Sequence, residues 1–570
     1  MKTPWNVQSP DAQLVNRLSR KLNCLPTTAA ILVNRGYCDA DDIDNFLNPS
    51  LRHLRPPETM TDIHRAAHRL ARAIVDREKI LVFGDYDTDG VTATALLKAF
   101  FDGCGAKTIT YIPHRISEGY GLKTRHITSL ALKQGIKVII TVDCGSASHD
   151  AVSTARQAGI DVIVTDHHNA PAPLPRATAL VNPKRADCPS QMDHLAGVGV
   201  AFYLIIHLRQ HLRQKGFWTR KPEPNLKTLC DLVALGTVAD MVPLVAENRV
   251  LTHAGLRILR QGKRPGLAAL FTLAGITEPG PDSQDIAFRI APRLNAAGRM
   301  GHAKEALALL TTSDEQAAQR LAEKVEGYNQ ARQRIEQQTV EQIQRMIDAT
   351  PALLDSLTLV LWHPDWHEGV LGIAAARMVR AYKRPVILIA AKGGMAKGSA
   401  RSIEGFDLYN ALTHCADTLC GYGGHAMAAG LQLEPDRLKS FRRCFEAAAQ
   451  HQTGGAISPS PLKLDAELDL TQVTVPFLDE LGRLQPFGSG NPQPIFMGHD
   501  IVVADTRTIG NGHLKLCLRQ REAAGQPPLS AVWFHPKLKQ VPEVLERLAF
   551  CVGWHHWRGE RQAQIEIKAV

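Results

Sequence analysis

The chain has 570 residues, 44% hydrophobic and 21% charged, with a formal net charge of +10 and a pI near 9.0. That length exceeds what one hydrophobic core supports and predicts three or four domains, and the composition excludes a disordered or fibrous chain. No apolar run reaches the length of a membrane span, the start lacks a basic-then-apolar leader, and eleven scattered cysteines form no CxxC pair, so a cytoplasmic protein without membrane partner, zinc cluster or disulfide framework is expected.

Residues 1–55 mix short apolar groups with an acidic run, Asp39 to Asp44, and read as an N-terminal helical extension. From about residue 60, helix and strand alternate. Helices are expected at 61–76, 92–101, 123–134 and 148–158, and strands at 79–83, 108–113, 137–143 and 160–166. Strands separated by helices of about ten residues predict a doubly wound parallel sheet, an α/β fold. A polar loop, 169–195, precedes an apolar helix at 196–212, and an apolar run at 231–244 carries Asp240. Residues 286–301 read as a loop bearing Arg289, Arg293 and Arg299. Ser313 with Gln316 reads as a capping box, opening a helix without proline to Asp348, roughly 50 Å long at 1.5 Å per residue. A second α/β domain follows, with strands at 357–362 and 385–390 and Gly-rich turns at 391–402 and 420–430. Residues 453–461 read as a linker, and the short strands beyond Leu462 predict a small β-barrel.

The chemistry gathers at strand ends. Asp85, Asp87 and Asp89 follow the strand at 79–83 and would alternate toward one side; three clustered anions call for a divalent cation, although an acidic turn with Asp as a helix N-cap fits the same letters. Asp143 and Asp166-His167-His168 end two further strands, and ligands in open α/β sheets bind beyond the carboxyl ends of strands. With Asp240, these residues offer enough oxygen and nitrogen donors for two cations, and the carboxylate-rich set suits Mn²⁺ or Mg²⁺ better than Zn²⁺. Residues 205–265 hold eleven Lys/Arg against four Asp/Glu, and 374–404 seven against one, which marks both as places for phosphate contacts. Arg293 and Arg299, among the small residues of RLNAAGR, read either as solvated charges or as phosphate ligands. In the barrel the charges balance, twelve against twelve over 463–570, and Trp533, Phe534, His555, His556 and Trp557 fit base stacking and core packing equally.

The motifs GDYDTDG (84–90), VDCG (142–145), TDHH (165–168), LGTVADMVPL (235–244), RLNAAGRM (293–300) and GYGGHAMAAG (421–430) resemble the DHH phosphoesterase superfamily, from about residue 50 onward. They are most similar to its branch of single-strand-specific exonucleases; Phe83 and Asp85 stand where the pyrophosphatase branch has a different pattern around its first acid pair. The resemblance implies the division 1–55 N-terminal extension, 56–285 DHH catalytic domain, 286–350 arginine loop and long helix, 351–452 DHH-associated domain and 460–570 OB-like domain. It implies that Asp87 and Asp143 hold one ion with Asp85 nearby, and that Asp89, Asp143, His167 and Asp240 hold the second. His168 would face the scissile phosphate and Asp166 would orient the histidine pair. Arg293, Arg299, Ser399, Arg401, Gly424 and His425 would bind substrate, with Gly393, Gly394 and Gly398 helping to form a pocket for a terminal 5′-phosphate. The activity implied is 5′-to-3′ hydrolysis of single-stranded DNA to 5′-mononucleotides in recombination and repair, by a monomer, with a single-strand-binding protein and a helicase as candidate partners. The alternatives are a DHH phosphodiesterase of short oligonucleotides or cyclic dinucleotides, and a nucleic-acid-binding scaffold with an inactive site.

Overall fold

A computed structural model describes residues 4–391, 394–457, 460–510, 512–523, 525–536, 540–557 and 560–570. Its first sheet is wholly parallel, in the spatial order Lys107–Tyr111, Lys79–Gly84, Val138–Val142, Asp161–Thr165, Ala179–Val181. The last of these strands lies inside the expected polar loop 169–195; three residues are too short to show a period. Apolar runs such as Ile80–Phe83 are buried on both faces, one against helices Ile63–Val75, Thr88–Cys104 and Gly197–Gln214, the other against Ile127, Val152 and Ala155. The chain leaves strand Lys79–Gly84 toward one neighbour and returns on its other side at Val138–Val142, so the connections diverge and open a crevice between these two strand ends.

Residues 286–301 are helical, not a loop: a π-turn over Ile286–Ile290 runs into helix Ala291–Met300. Pro292 follows the π-turn, and Gly298 is tolerated because its bare Cα lies against the Tyr86 carbonyl, which a Cβ would approach to 2.7 Å. The long helix is Glu315–Ala349, 35 residues, and its cap is the Asp314 carboxylate, which accepts the Ala317 N–H, rather than a Ser313–Gln316 box. Ala322 and Val325 bury its first half in the core of the parallel-sheet domain, while Ile343 and Ile347 bury its second half against Leu359 and Leu388, so one helix is shared by two cores.

The second sheet has the order Gly421–Gly424, Ala428–Leu433, Ala396–Arg401, Val386–Ala390, Leu359–His363, parallel only between the last two. The Gly-rich stretches expected as turns at 391–402 and 420–430 are thus mostly ladder. Gly398 permits this, since a Cβ there would meet Leu431 Cγ at 2.9 Å and Ile389 Cγ1 at 3.0 Å. Gly393 lies outside the described residues.

Strands Phe496–Ile509, His513–Gln520, Leu529–Trp533, Glu560–Ala569 and Val544–Trp557 form a barrel closed by pairing of the first with the last. Helices Ala12–Leu22, Pro26–Asn34 and Ala40–Leu47 share its core through Leu18, Ile31, Leu32 and Ile43, and Trp5–Val7 pairs with Leu462–Leu464. Both chain ends therefore meet in one module. Arg249, 2% exposed, ties that module to the parallel-sheet domain: its guanidinium donates to the carbonyls of Phe46 (2.9 Å), Leu484 (2.9 Å) and Arg483 (3.0 Å). Arg249→Met keeps the side-chain length but leaves these carbonyls unpaired. It is expected to cost about 3 kcal/mol or more, read as a lower thermal midpoint and faster proteolysis between the two modules.

Candidate active site

Strand Lys79–Gly84 stops at Gly84 and helix Thr88–Cys104 begins only four residues on, earlier than its periodicity indicates. The three acids therefore do not alternate along a strand tail. Asp85 lies in the connection, Asp87 is the helix N-cap accepting the Gly90 N–H at 3.1 Å, and Asp89 sits in the first turn. The cap and the acidic cluster are thus one structure. The Asn295 side chain accepts the Thr88 N–H at 2.9 Å, so helix Ala291–Met300 pins this turn from outside.

Asp143 follows strand Val138–Val142 with φ 60°, a left-handed conformation that Asp and Asn tolerate better than other side chains. Asp240 is the C-cap of helix Cys230–Ala239. Around the crevice, Asp85, Asp87 and Asp143 bring ligand atoms within 4.8 Å of one another, and so do Asp89, His167 and Asp240. His167 Nε2 lies 3.0 Å from Asp143 Oδ1, 3.6 Å from Asp240 Oδ2 and 3.8 Å from Asp89 Oδ2. Asp89 also accepts the first N–H groups of helix Gly197–Gln214, Gly197 at 2.7 Å and Val198 at 2.9 Å. Two glycines make room. A Cβ on Gly197 would meet Asp143 Oδ1 at 2.7 Å, and one on Gly236 would meet Asp89 Oδ1 at 2.8 Å.

The carboxylates of the cluster repel one another. Burial and then neighbouring carboxylates push the pKa values of Asp85, Asp143 and Asp240 well above the usual range, and Asp89 up to about 7. Burial followed by the charge of His168 pushes His167 down to about 3, so the ring is a neutral donor. Asp85 Oδ1, Asp143 Oδ1 and His167 Nε2 are buried without a hydrogen-bond partner among the described residues. Orphaned donor atoms of this kind, around like charges, fit a pair of divalent cations.

His168 differs from its neighbour. Its side chain is 37% exposed, and its Nδ1 lies 2.8 Å from Asp166 Oδ1 and 3.0 Å from the Tyr120 hydroxyl. Burial would lower its pKa, but the hydrogen bond and charge of Asp166 outweigh that and raise it to about 9. Asp166 also accepts the N–H groups of Ser146 (2.9 Å), His167 (2.8 Å) and His168 (3.1 Å). Burial would raise its pKa, but the hydrogen bond and charge of the His168 ring, and then the Ser146 N–H, hold it far below the usual carboxylate range. The Asp166 carboxylate thus fixes the backbone of both histidines. His168 opens onto a cavity of about 1700 Å³ whose far wall is Gly423, Gly424 and His425 of the second sheet. Asn169 Nδ2 lies 3.3 Å from His425 Nδ1 across it.

Of the arginines, Arg299 donates to the Gly369 carbonyl (2.9 Å), and burial followed by the charges of Arg115 and Arg401 lowers it to about 9. Arg401 lies against Ser399, and a Cβ on Gly372 would meet its Nη2 at 2.8 Å, so the pair sits at the first turn of helix Leu371–Tyr382. Arg115, lying 4.7 Å over the Tyr86 ring, completes this cluster; it was not singled out from sequence, although it follows a strand that ends at the same edge. Arg293 is not in it: its Nε pairs with Glu326 of the long helix at 2.5 Å. Part of the basic excess of 205–265 is also spent inside the protein. Arg264 pairs with Asp231, Arg209 and Arg213 with Glu223, and Arg249 is interior. In the barrel, Trp533 is core and Phe534 exposed, while the side chains of His556 and Trp557 lie outside the described residues.

Residues 79–237 match the DHH family, N-terminal domain, 355–451 the DHHA1 domain and 464–569 the RecJ OB domain. Single-stranded-DNA-specific exonuclease RecJ of Escherichia coli (strain K12) is 37% identical over 565 residues, which cover 96% of each chain. The chain belongs to the RecJ family. RecJ of Thermus thermophilus is 34% identical, covering 99% of this chain and 78% of that one. The crystal structure of RecJ in complex with Mn²⁺ from Thermus thermophilus has a TM-score of 0.82 at 29% identity, covering 99% of this chain and 79% of that one; the Mg²⁺ complex has a TM-score of 0.76.

Proposed function

We propose that the protein is a single-strand-specific DNA exonuclease of recombination and repair, acting 5′ to 3′ and releasing 5′-mononucleotides with two Mn²⁺ or Mg²⁺ ions. The observation that carries this is the meeting of two donor groups, Asp85/Asp87/Asp143 and Asp89/His167/Asp240, beside a cleft, in a chain matching RecJ relatives along nearly its whole length. Asp87 and Asp143, with Asp85 behind them, would hold one ion; Asp89, His167 and Asp240, with Asp143 shared, would hold the other. The chemistry such a pair supplies is activation of water and neutralisation of charge developing on the phosphoryl oxygens. The chain's own part is positioning: His168, fixed by Asp166, presents its other ring nitrogen to the phosphate, and His425 and Gly424 close the opposite wall. In this reading 56–285 is catalytic, the long helix is the spacer, 351–452 supplies the cleft wall, and the expected extension 1–55 is joined with the OB-like domain 460–570 into one module. The protein would act as a cytoplasmic monomer, with a single-strand-binding protein and a helicase as candidate partners.

Digestion of a long 5′-phosphorylated single strand with Mn²⁺ tests the reading: stepwise mononucleotide release is expected, and activity confined to dinucleotides or cyclic dinucleotides would replace it with the short-substrate alternative. Arg115, Arg299 and Arg401, drawn together without a carboxylate paired to them among the described residues, form the pocket for the 5′-phosphate. Loss of one charge-assisted contact is worth about 1.5–3 kcal/mol. Arg401→Ala is therefore expected to lower kcat/KM on 5′-phosphorylated ends about 10- to 100-fold and on 5′-hydroxyl ends much less, measured on matched oligonucleotides.

A further inference from the structure

Directly after Asp240 the backbone turns left-handed at Met241, φ 60°. Asp240 points inward to His167, and Met241 is left 74% exposed. Phe288, in the π-turn, is 71% exposed while Ile286 and Ile290 on either side of it are fully buried. These two are the most exposed large apolar side chains among the described residues, and they line one cavity of about 280 Å³. Its other wall is the segment Phe487–Gln493 of the C-terminal module, stitched in place by Leu244 N–H to the Ser489 carbonyl (2.7 Å) and Ser283 Oγ to the Phe487 carbonyl (2.6 Å). None of the lining residues is charged; its polar side chains are Ser283, whose hydroxyl is spent on the Phe487 carbonyl, Ser489, and the amides of Gln284 and Gln493, 3.4 Å apart.

We propose that Phe288 and Met241 form a stacking platform for one unpaired base of the substrate strand, on the Asp240 side of the metal centre. This inference rests on the exonuclease reading and names where the strand continues after the scissile phosphate. An uncharged apolar slot suits a base face and not a phosphate, and its volume lies just below the ~300–1,000 Å³ of a drug-sized ligand site. Aromatic stacking accepts every base, and the two amides can each donate or accept, so the slot grips without selecting sequence. A duplex has its bases stacked and paired within the helix, so only a single strand can fill the slot. It adds a positive recognition of single strands to any exclusion by width. The slot also continues an existing surface: Met241 is the next residue after Asp240, and the barrel module forms the far wall.

The test measures first-cleavage kcat/KM on 5′-phosphorylated single strands carrying one abasic residue at successive positions. The wild-type full chain is expected to lose about 10-fold at one position on the 3′ side of the scissile bond. In Phe288→Ala and Met241→Ala that positional loss should largely vanish, because the stacking is already gone, and in Phe288→Trp it should persist. An abasic penalty identical in wild type and both alanine variants, or absent at every position, overturns the platform while leaving the exonuclease reading in place. Failure of the wild type to release mononucleotides from any intact single strand overturns that reading and the platform together. Melting temperatures of the variants, expected to match wild type because both side chains are exposed, keep folding out of the comparison.

Discussion

Asp143→Asn is expected to lower exonuclease turnover by about 1,000-fold or more while making the metal-free protein more stable at pH 8. The activity loss follows from the position of Asp143 between the two donor groups: removing its charge weakens both cation sites, and about 4 kcal/mol of lost charge stabilisation is about three decades of rate. Asn is the informative replacement because it keeps the left-handed φ of 60° that Ala would resist. The stability gain follows from linkage. The buried acids of the site have folded pKa values above their unfolded ones, Asp89 at about 7 against a usual 3.8. The folded, metal-free state therefore holds protons that the unfolded state releases. Its stability from these groups is fully present below the unfolded value and is lost as pH rises toward the folded one. EDTA-treated wild type should thus melt lower at pH 8 than at pH 5.5, and Mn²⁺ should reverse this by on the order of 5 °C or more. Asp143→Asn removes one of the repelling charges, so its metal-free melting should fall less with pH and respond less to Mn²⁺. Melting curves across pH, with and without Mn²⁺, measure both effects. Equal melting curves for the two proteins would place Asp143 outside the cation site.

What could be read in the sequence was whatever repeats or sits at a fixed offset from a strand end. The alternation of apolar runs and helices marked the parallel sheet, and Asp143 and Asp166 were visible because each directly ends such a run. Asp240 was visible as an acid after an apolar segment, but its supporting helix gave no strand-like cue, and nothing local connects it to Asp89 across the Gly236 contact. Long-range partners were silent for the same reason. Asn295 capping Thr88, Arg293 pairing with Glu326 and Arg249 reaching three carbonyls each depend on chain segments far apart. Arg249 even counted toward a phosphate-binding surface, because a charge count cannot tell a guanidinium that reaches carbonyls from one that faces solvent, and the small residues around Arg293 gave no sign of Glu326. Glycine misled in one direction only. At Gly398 and Gly424 it signals close strand packing, whose neighbours lie on other strands, and a local reading assigns the same letters to turns.

His168→Ala is expected to lower kcat by 100- to 10,000-fold, the usual reach of a positioned acid or base, without a matching rise in the Mn²⁺ concentration needed for half-maximal activity. The distinction matters because Asp143, His167 and His168 also bring ligand atoms within 4.8 Å of one another, which leaves His168 open to a second reading as a metal ligand. Its hydrogen bonds argue otherwise. The nitrogen nearest Asp143, Nδ1 at 3.8 Å, is already held by Asp166 and Tyr120, whereas His167 Nε2, facing the carboxylates, is buried without a hydrogen-bond partner among the described residues. The raised pKa keeps a proton on His168 at neutral pH, a poor state for a ligand and a suitable one for donating to a phosphoryl or leaving oxygen. Asp166→Asn should lose about 10- to 100-fold and should also raise the Mn²⁺ requirement, since Asp166 fixes the backbone N–H groups of both histidines. Activity titrated against Mn²⁺ for the two variants separates the roles: a rise of tenfold or more in the His168→Ala requirement would move His168 into the ligand set and leave the phosphate without its proton donor.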